Sequence, residues 1–244
     1  MRAAELTVVI PAHNAATTLA EAIGSVTRAH DPAPSVIVID DRSDDDTSAV
    51  AAAHGATVRP ASGTGPGAAR NTGVRLVDTE YLAFLDADDW WHPDRLHEHL
   101  DRLGDPSVDL VLGRTQYRLD DAVDPAMASQ LLAGHRFESD DATVVLPHFG
   151  AATMRTAAFH RAGWIDDTLA NYEDYEWFYR ARDLGLAMYT SDRIAQIRRI
   201  TAGSTSRLNP PGPTDLLAVM QRSVRRRRAL GLPGDASTIS TLGR

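Results

Sequence analysis

The sequence predicts an α/β domain with a mostly parallel central sheet flanked by helices, followed by a C-terminal helical tail. Three observations point there. Short β-rich apolar runs alternate with helically spaced segments, acidic clusters sit where those runs stop, and 244 residues are enough for one sizeable core. Residues 6–10 form an apolar strand that Pro11 is expected to stop. Residues 17–29 place Leu19, Ala22, Ile23 and Val26 at helical spacing. Residues 36–39 are the second strand, followed by DDRSDDDT and an alanine-rich helix ending at Gly55. Residues 67–77 read as helix and 81–85 as strand. Pro93 suits the first turn of a helix through Leu96, Leu100 and Leu103 to a stop at Gly104, and 108–112 are again strand. Beyond about residue 113 the alternation weakens, and 119–142 read as loop. A helix from Glu173 carries Trp177, Phe178, Ala181 and Leu184 on one face. Residues 187–200 give one or two strands, 209–213 a linker, and 214–230 a final helix ending in four arginines.

Composition excludes several function classes. The apolar and charged fractions, 43% and 24%, are those of an ordinary globular protein. All 25 basic residues are arginine, so Schiff-base chemistry and a Walker phosphate loop are out. A net charge of −8 argues against a nucleic-acid partner. With no cysteine there is no disulfide and no thiolate chemistry. The apolar runs are too short to span a bilayer and the N-terminus lacks a signal-peptide cleavage pattern, so the expected location is cytoplasmic.

Four stretches carry chemistry. In FLDADDWW (84–91), Asp86, Asp88 and Asp89 end an apolar run; such carboxylates can share a hard divalent cation, Mg²⁺ or Mn²⁺, with positions left for phosphate oxygens. An EF-hand is excluded because Trp90 stands where glycine is needed. The plainer alternative is that Asp89 caps the helix near Pro93. In DDRSDDDT (40–47), Asp40 and Asp41 suit a ribose hydroxyl or a base N–H, whereas Asp44, Asp45 and Asp46 suit the cap of the next helix. The loop GTGPGAARNTG (63–73) is neither a dinucleotide nor a Walker motif. It still presents backbone N–H groups and Arg70 to an anionic or carbonyl acceptor, unless it is a plain loop with a surface arginine. Glu173 and Asp174 open a late helix, where carboxylates also serve to complement the helix dipole.

Taken in order, VVIPAHN (8–14), VIDDRSDDDT (38–47), GPGAARNTG (65–73), FLDADDW (84–90) and YEDYEWFYRA (172–181) resemble the family 2 glycosyltransferases of GT-A fold, over roughly residues 5–205. The resemblance implies a nucleotide-diphosphate sugar donor, UDP-, dTDP- or GDP-linked, and an acceptor hydroxyl. It implies donor contacts from Pro11, Ala12, Asn14, Asp40, Asp41, Arg70, Asp86, Ala87 and Asp88. Asp86, Asp88 and Asp89 would share the Mn²⁺ or Mg²⁺. Asp174, with Glu173 beside it, would be the base of an inverting transfer. Two departures stand out: Ala16 replaces a frequent glutamate, and Thr201-Ala-Gly-Ser204 replaces a His-x-Gly-Ser stretch. The histidine's role at the diphosphate is then missing or passes to Arg198 or Arg199. No glutamine-arginine-tryptophan signature of processive synthases is present, which implies single-sugar transfer.

The expected organisation is a transferase domain over 1–209, with a nucleotide-sugar half (1–112) and an acceptor half (113–209), then a linker and helical tail (210–244). The alternatives are a catalytically idle nucleotide-binding module and, less favoured, a nucleotidyltransferase. His92, His97 and His99 read as a solvated helix face rather than zinc ligands, and His148 as acceptor-side or plain. Trp90, Trp91, Trp164 and Trp177 suit sugar stacking or core packing. The tail, Arg222 and Arg225 to Arg228 beside Leu216, Leu217, Val219 and Met220, suits a solvated or partner-contacting helix. It also permits peripheral contact with anionic lipid at the inner membrane face.

Overall fold

A computed structural model describes residues 5–28, 31–119, 143–200 and 213–233. The N-terminal half alternates strand and helix: β1 (Leu6–Ala12), α1 (Leu19–Thr27), β2 (Ser35–Asp40), α2 (Thr47–Ala53), β3 (Thr57–Pro60), α3 (Pro66–Val74) and β4 (Tyr81–Phe84). The short β5 (Trp90–Trp91) and α4 (Arg95–Leu103) lead into β6 (Leu110–Leu119). Then come β7 (Thr143–Val144), a 3₁₀ turn (Phe149–Ala151), β8 (Ala152–Arg155), α5 (Thr156–Ala162), α6 (Glu173–Asp183), β9 (Met188–Ile200) and α7 (Pro213–Ala229). Of the expected loop at 119–142, Leu119 ends β6 and the rest lies outside the described residues, as does most of the expected linker at 209–213.

Successive strand residues point to opposite faces, and in this sheet both faces are apolar. Val9, Ile37, Ile39, Leu82 and Phe84 enter one core with residues of α3, α5 and α6. Their neighbours Val8, Ile10, Val36, Val38, Tyr81 and Ala83 enter the other, with α1, α2 and α4. Near-continuous apolar strands of this kind are covered on both sides by helices. Close approach sets one glycine: a Cβ on Gly73 of α3 would collide with the Val9 side chain of β1.

Among the described residues the sheet has nine strands, in the order β3-β2-β1-β4-β8-β6-β9-β5, with β7 paired to β6. The first four are mutually parallel, as the alternation predicts. β8 enters antiparallel between β4 and β6, and β6 pairs parallel with β9 from Leu110↔Met188 to Leu119↔Ile200. All four parallel strands therefore direct their carboxyl ends to one edge, where α/β ligands bind.

Several expectations need correction. Pro11 does not stop β1; it pairs in register with Ile39. The β1–β4 ladder ends at Val9↔Phe84, so Pro11 has a neighbour on one side only and its missing N–H leaves no gap in a ladder. Leu184 lies past the end of α6 and is exposed rather than on its inner face. His99 is buried, with Nδ1 2.9 Å from Thr153 Oγ1, while His97 is exposed. Trp177 is core, and Trp164 is exposed with Arg75 over its ring. The tail's arginines mostly turn inward. Arg222 donates to Asp166, Arg226 to Glu176 and Asp183, and Arg227 lies 3.6 Å from Asp183, leaving Arg225 and Arg228 exposed. No helix among the described residues is long and apolar enough to cross a membrane.

Candidate active site

The loops after β1 and β2 interlock. Asp41 N–H donates to Ala12 O at 2.8 Å, and His13 Nδ1 lies 2.7 Å from Asp41 O. Asn14, at φ 48, donates its N–H to Ser43 Oγ, and its Oδ1 accepts from Asp44 N–H. Asp40 accepts from Ser43 N–H at 2.9 Å and from the Ser48 hydroxyl. Burial opposes the charge on Asp40, but these hydrogen bonds win and lower its pKa. Of the three aspartates expected as a cap, Asp45 alone does the work. It accepts from the Thr47 and Ala16 N–H groups, both at 3.0 Å, and Asp46 makes no capping bond. Asp41 is buried and reaches the glycine loop, accepting from Gly65 N–H at 2.6 Å and from Arg42 Nε at 3.0 Å. Gly65 takes φ 87, a conformation open to glycine, immediately before Pro66 starts α3. Pro11, Ala12, Asn14, Asp40 and Asp41 therefore converge as one group at the sheet's edge.

A second group forms around Arg70, whose side chain is buried on α3. Its guanidinium donates to Asp86 Oδ1 at 2.6 Å and to Glu173 Oε1 at 2.9 Å. Burial alone would weaken this cation; the Asp86 and Glu173 charges more than offset that and raise its pKa. For Asp86, burial is likewise outweighed by Arg70, His148 and Arg198, which hold its carboxyl down to about 2. Asp88 behaves oppositely: burial and the neighbouring Asp86 charge raise it, and Arg198 and Arg199 only partly compensate. Asp89, which follows buried Ala87 and half-buried Asp88, has both oxygens engaged by β9. Oδ1 accepts from Arg199 N–H at 2.9 Å and Oδ2 from the Gln196 amide. It does not cap α4, whose N-cap residue is Asp94.

Asp174 stands beside Glu173 at the start of α6. Its Oδ1 accepts from Tyr175 N–H at 2.8 Å, and its Oδ2 lies 3.9 Å from His148 Nε2, which is also 3.7 Å from Asp86 Oδ2. Burial, then the adjacent Glu173 charge, pushes the Asp174 carboxyl up to about 8. Burial, then Arg198, pushes His148 down to about 4, so it is neutral at pH 7. His148 Nδ1 is 3.0 Å from Gln196 Oε1, and the same amide holds Asp89. Gln196 thus ties the β4 loop to the turn bearing His148, a link with no signal in the mixed polar and apolar pattern of its strand. Arg95 was also invisible in sequence: its guanidinium is buried, donates to the carbonyls of Gly150 and Ala152, and lies over the Trp91 ring.

The two candidates for the absent histidine's role separate cleanly. Arg198 pairs with Tyr117 in the β6–β9 register and is surrounded by the charges of Asp89, Asp86 and Asp88. Arg199 is directed elsewhere, onto Glu21 and the face of Trp90. Thr201 to Ser204 lie outside the described residues. Among the described residues no three or more histidines and carboxylates are gathered into a metal cage. Mg²⁺ and Mn²⁺ need no such cage, since one or two carboxylates plus phosphate oxygens suffice. A half-buried Asp88 repelled by Asp86 is a donor set that a divalent cation relieves, so the residues fit the ion.

Residues 7–163 match the profile of Glycosyl transferase family 2. The pre-mycofactocin glycosyltransferase of Mycobacterium tuberculosis (strain CDC 1551 / Oshkosh) is 28% identical over 212 residues, 80% of this chain and 44% of that protein. The succinoglycan biosynthesis protein ExoU of Rhizobium meliloti (strain 1021) is 40% identical over 106 residues, 41% of this chain and 31% of ExoU. The chain thus spans less than half the length of either relative. Among solved structures, S. aureus TarS in complex with UDP-GlcNAc superposes with a TM-score of 0.68 at 19% identity, covering 91% of this chain and 66% of that one. Glucosyl-3-phosphoglycerate synthase from M. tuberculosis, in complex with Mn²⁺, UDP and glucosyl-3-phosphoglycerate, gives 0.59 at 23% identity, covering 95% and 81%. These likenesses establish the GT-A fold.

Proposed function

The chain belongs to glycosyl transferase family 2, and from that premise we propose that it moves a single sugar from a nucleotide-diphosphate sugar to an acceptor hydroxyl, inverting the anomeric carbon. The observation that carries this reading is the Arg70 fork. It brings Asp86 of the β4 loop and Glu173 of α6, distant in the chain, into one cluster beside Asp174.

In this reading the interlocked loops of Pro11, Ala12, Asn14, Asp40 and Asp41 hold the base and ribose. Asp88, supported by Asp86, leads the cation site next to Ala87, because both oxygens of Asp89 are already spent on β9. A bound Mn²⁺ or Mg²⁺ would neutralise charge on the departing diphosphate. Arg198, the cation facing the same aspartates, takes the diphosphate role of the missing histidine. The nucleotides in the solved relatives, UDP-GlcNAc in TarS and UDP with Mn²⁺ in the M. tuberculosis synthase, favour a uridine donor.

Glu173 is fixed by Arg70, which leaves Asp174 as the base. A sugar hydroxyl is a weak nucleophile and must lose its proton as it attacks. The acceptor O–H proton passes to the Asp174 carboxylate, and the acceptor oxygen bonds to the anomeric carbon. The anomeric C–O bond to the diphosphate breaks on the opposite side, its electron pair leaving with the nucleotide. A carboxyl titrating near 8 holds that proton far more firmly than an ordinary aspartate.

The test is a thermal-shift screen of UDP, dTDP and GDP sugars with and without Mn²⁺. Metal-dependent stabilisation by one of them is expected, and its absence with all three would overturn the reading. With the donor in hand, Asp174→Asn should lower kcat by at least about 10²-fold while leaving donor Kd near wild type. The wild-type rate should climb with pH through the Asp174 titration. Turnover retained in the variant would remove Asp174 as the base.

A further inference from the structure

Four of the six tyrosines in the chain, Tyr117, Tyr172, Tyr175 and Tyr179, gather around Asp174. Tyr172 immediately precedes α6 and sits at φ 61, ψ 23, a left-handed conformation that is costly for a bulky residue. That backbone sets its ring edge-on to Tyr175, with centroids 5.2 Å apart at 81°. Tyr175 in turn meets Tyr179 edge-on at 6.1 Å and 87°. Tyr179 is buried, whereas Tyr172 and Tyr175 are partly exposed, so the row runs from the core out to solvent past the base.

We propose that Tyr172 and Tyr175 form the acceptor subsite and that the hydroxyl they present to Asp174 belongs to a neutral sugar residue. This rests on the transferase reading above and adds the acceptor's chemical class. A tyrosine ring offers an apolar face to sugar C–H groups and a hydroxyl to sugar oxygens. The strained Tyr172 backbone gives that ring one orientation beside the reacting group. Asp215 and Asp174 act on Tyr172 and Asp174 acts on Tyr175, while the cations near Asp174 are engaged by other carboxylates: Arg70 by Asp86 and Glu173, and Arg198 by Asp89, Asp86 and Asp88. A phosphate- or carboxylate-bearing acceptor would oppose the ionisation that Asp174 must undergo to act as base, whereas an uncharged polyhydroxyl group does not.

The experiment uses the whole chain, with the nucleotide sugar found by the thermal-shift screen and two sets of acceptor probes. One set is methyl glycosides of common hexoses; the other is glycerol and glycerol 3-phosphate. Methyl glycosides are expected to raise nucleotide release above the rate with water alone, and glycerol 3-phosphate is not. Tyr172→Ala and Tyr175→Ala should each raise the KM for the preferred glycoside about tenfold while donor Kd, read by calorimetry, stays at the wild-type value. Tyr172→Phe keeps the ring and should stay within about threefold. Should an alanine variant fail to fold, the phenylalanine variant and the wild-type acceptor panel still decide. Preference for glycerol 3-phosphate, no rate gain with any glycoside, or an unchanged KM in both alanine variants overturns the subsite while donor binding keeps the transferase reading. Failure of every donor to bind overturns both.

Discussion

Arg70 shows how one side chain can serve two motifs. Its planar fork takes Asp86 on one arm and Glu173 on the other, a geometry that a lysine ammonium does not reproduce. Arg70→Gln would leave both carboxylates in a largely dry site without their cation. The expected loss is about 3 kcal/mol, read as a lower urea midpoint with little change in slope. A midpoint equal to wild type would mean that the fork is not a buried pair. At this scale the sequence was informative about which residue types matter and much less so about their partners. The aspartates of the β4 loop were identifiable as a group, but nothing in FLDADDWW says that both oxygens of Asp89 are taken up by hydrogen bonds from β9. Gln196 and Tyr172 carry no local signature, because a buried amide bridge and a left-handed tyrosine are set by tertiary contacts.

At the scale of elements, periodicity served well wherever contacts are local. Strands β1, β2 and β4 follow from apolar runs and helices α1 and α4 from apolar spacing, because each buries a face against its chain neighbours. The insertion of β8 between β4 and β6 was not readable: its partner residues lie far along the chain, and its four residues show no alternation that marks an antiparallel strand. Pro11 misled for a related reason, since the cost of a proline depends on whether a second strand lies alongside. The contact of α3 with β1 gives a sharp test. Gly73→Ala inserts a methyl group against Val9 and should cost roughly 1–3 kcal/mol. Helix propensity alone would predict a gain from the same change, so the sign of the shift in thermal midpoint separates the two effects.

For the molecule as a whole, the buried titratable groups set a pH profile of stability. Asp174 titrates near 8 when folded and near 3.8 when unfolded, so between those values the unfolded chain binds fewer protons and stability falls as pH rises. His148 runs the other way, near 4 folded against 6.5 unfolded; its contribution is complete above 6.5 and is lost as pH falls. Between 6.5 and 8 the carboxylate effect acts without the histidine. Urea denaturation should show stability declining there by up to about 1.4 kcal/mol per pH unit, with a shallower slope in Asp174→Asn. Equal slopes in both proteins would show that Asp174 is not the group responsible. The sheet order has a consequence of another kind. Among the described residues its outer strands are β3, four residues long and carrying Arg59 and Pro60, and β5 and β7, each two residues long. Short edges bearing a charge and a proline are poor templates for a passing extended chain. Among the described residues the apolar interior strands, the segments most prone to form cross-β fibrils, lie inside these short edges, so aggregation is expected to follow opening of the fold rather than begin at its rim.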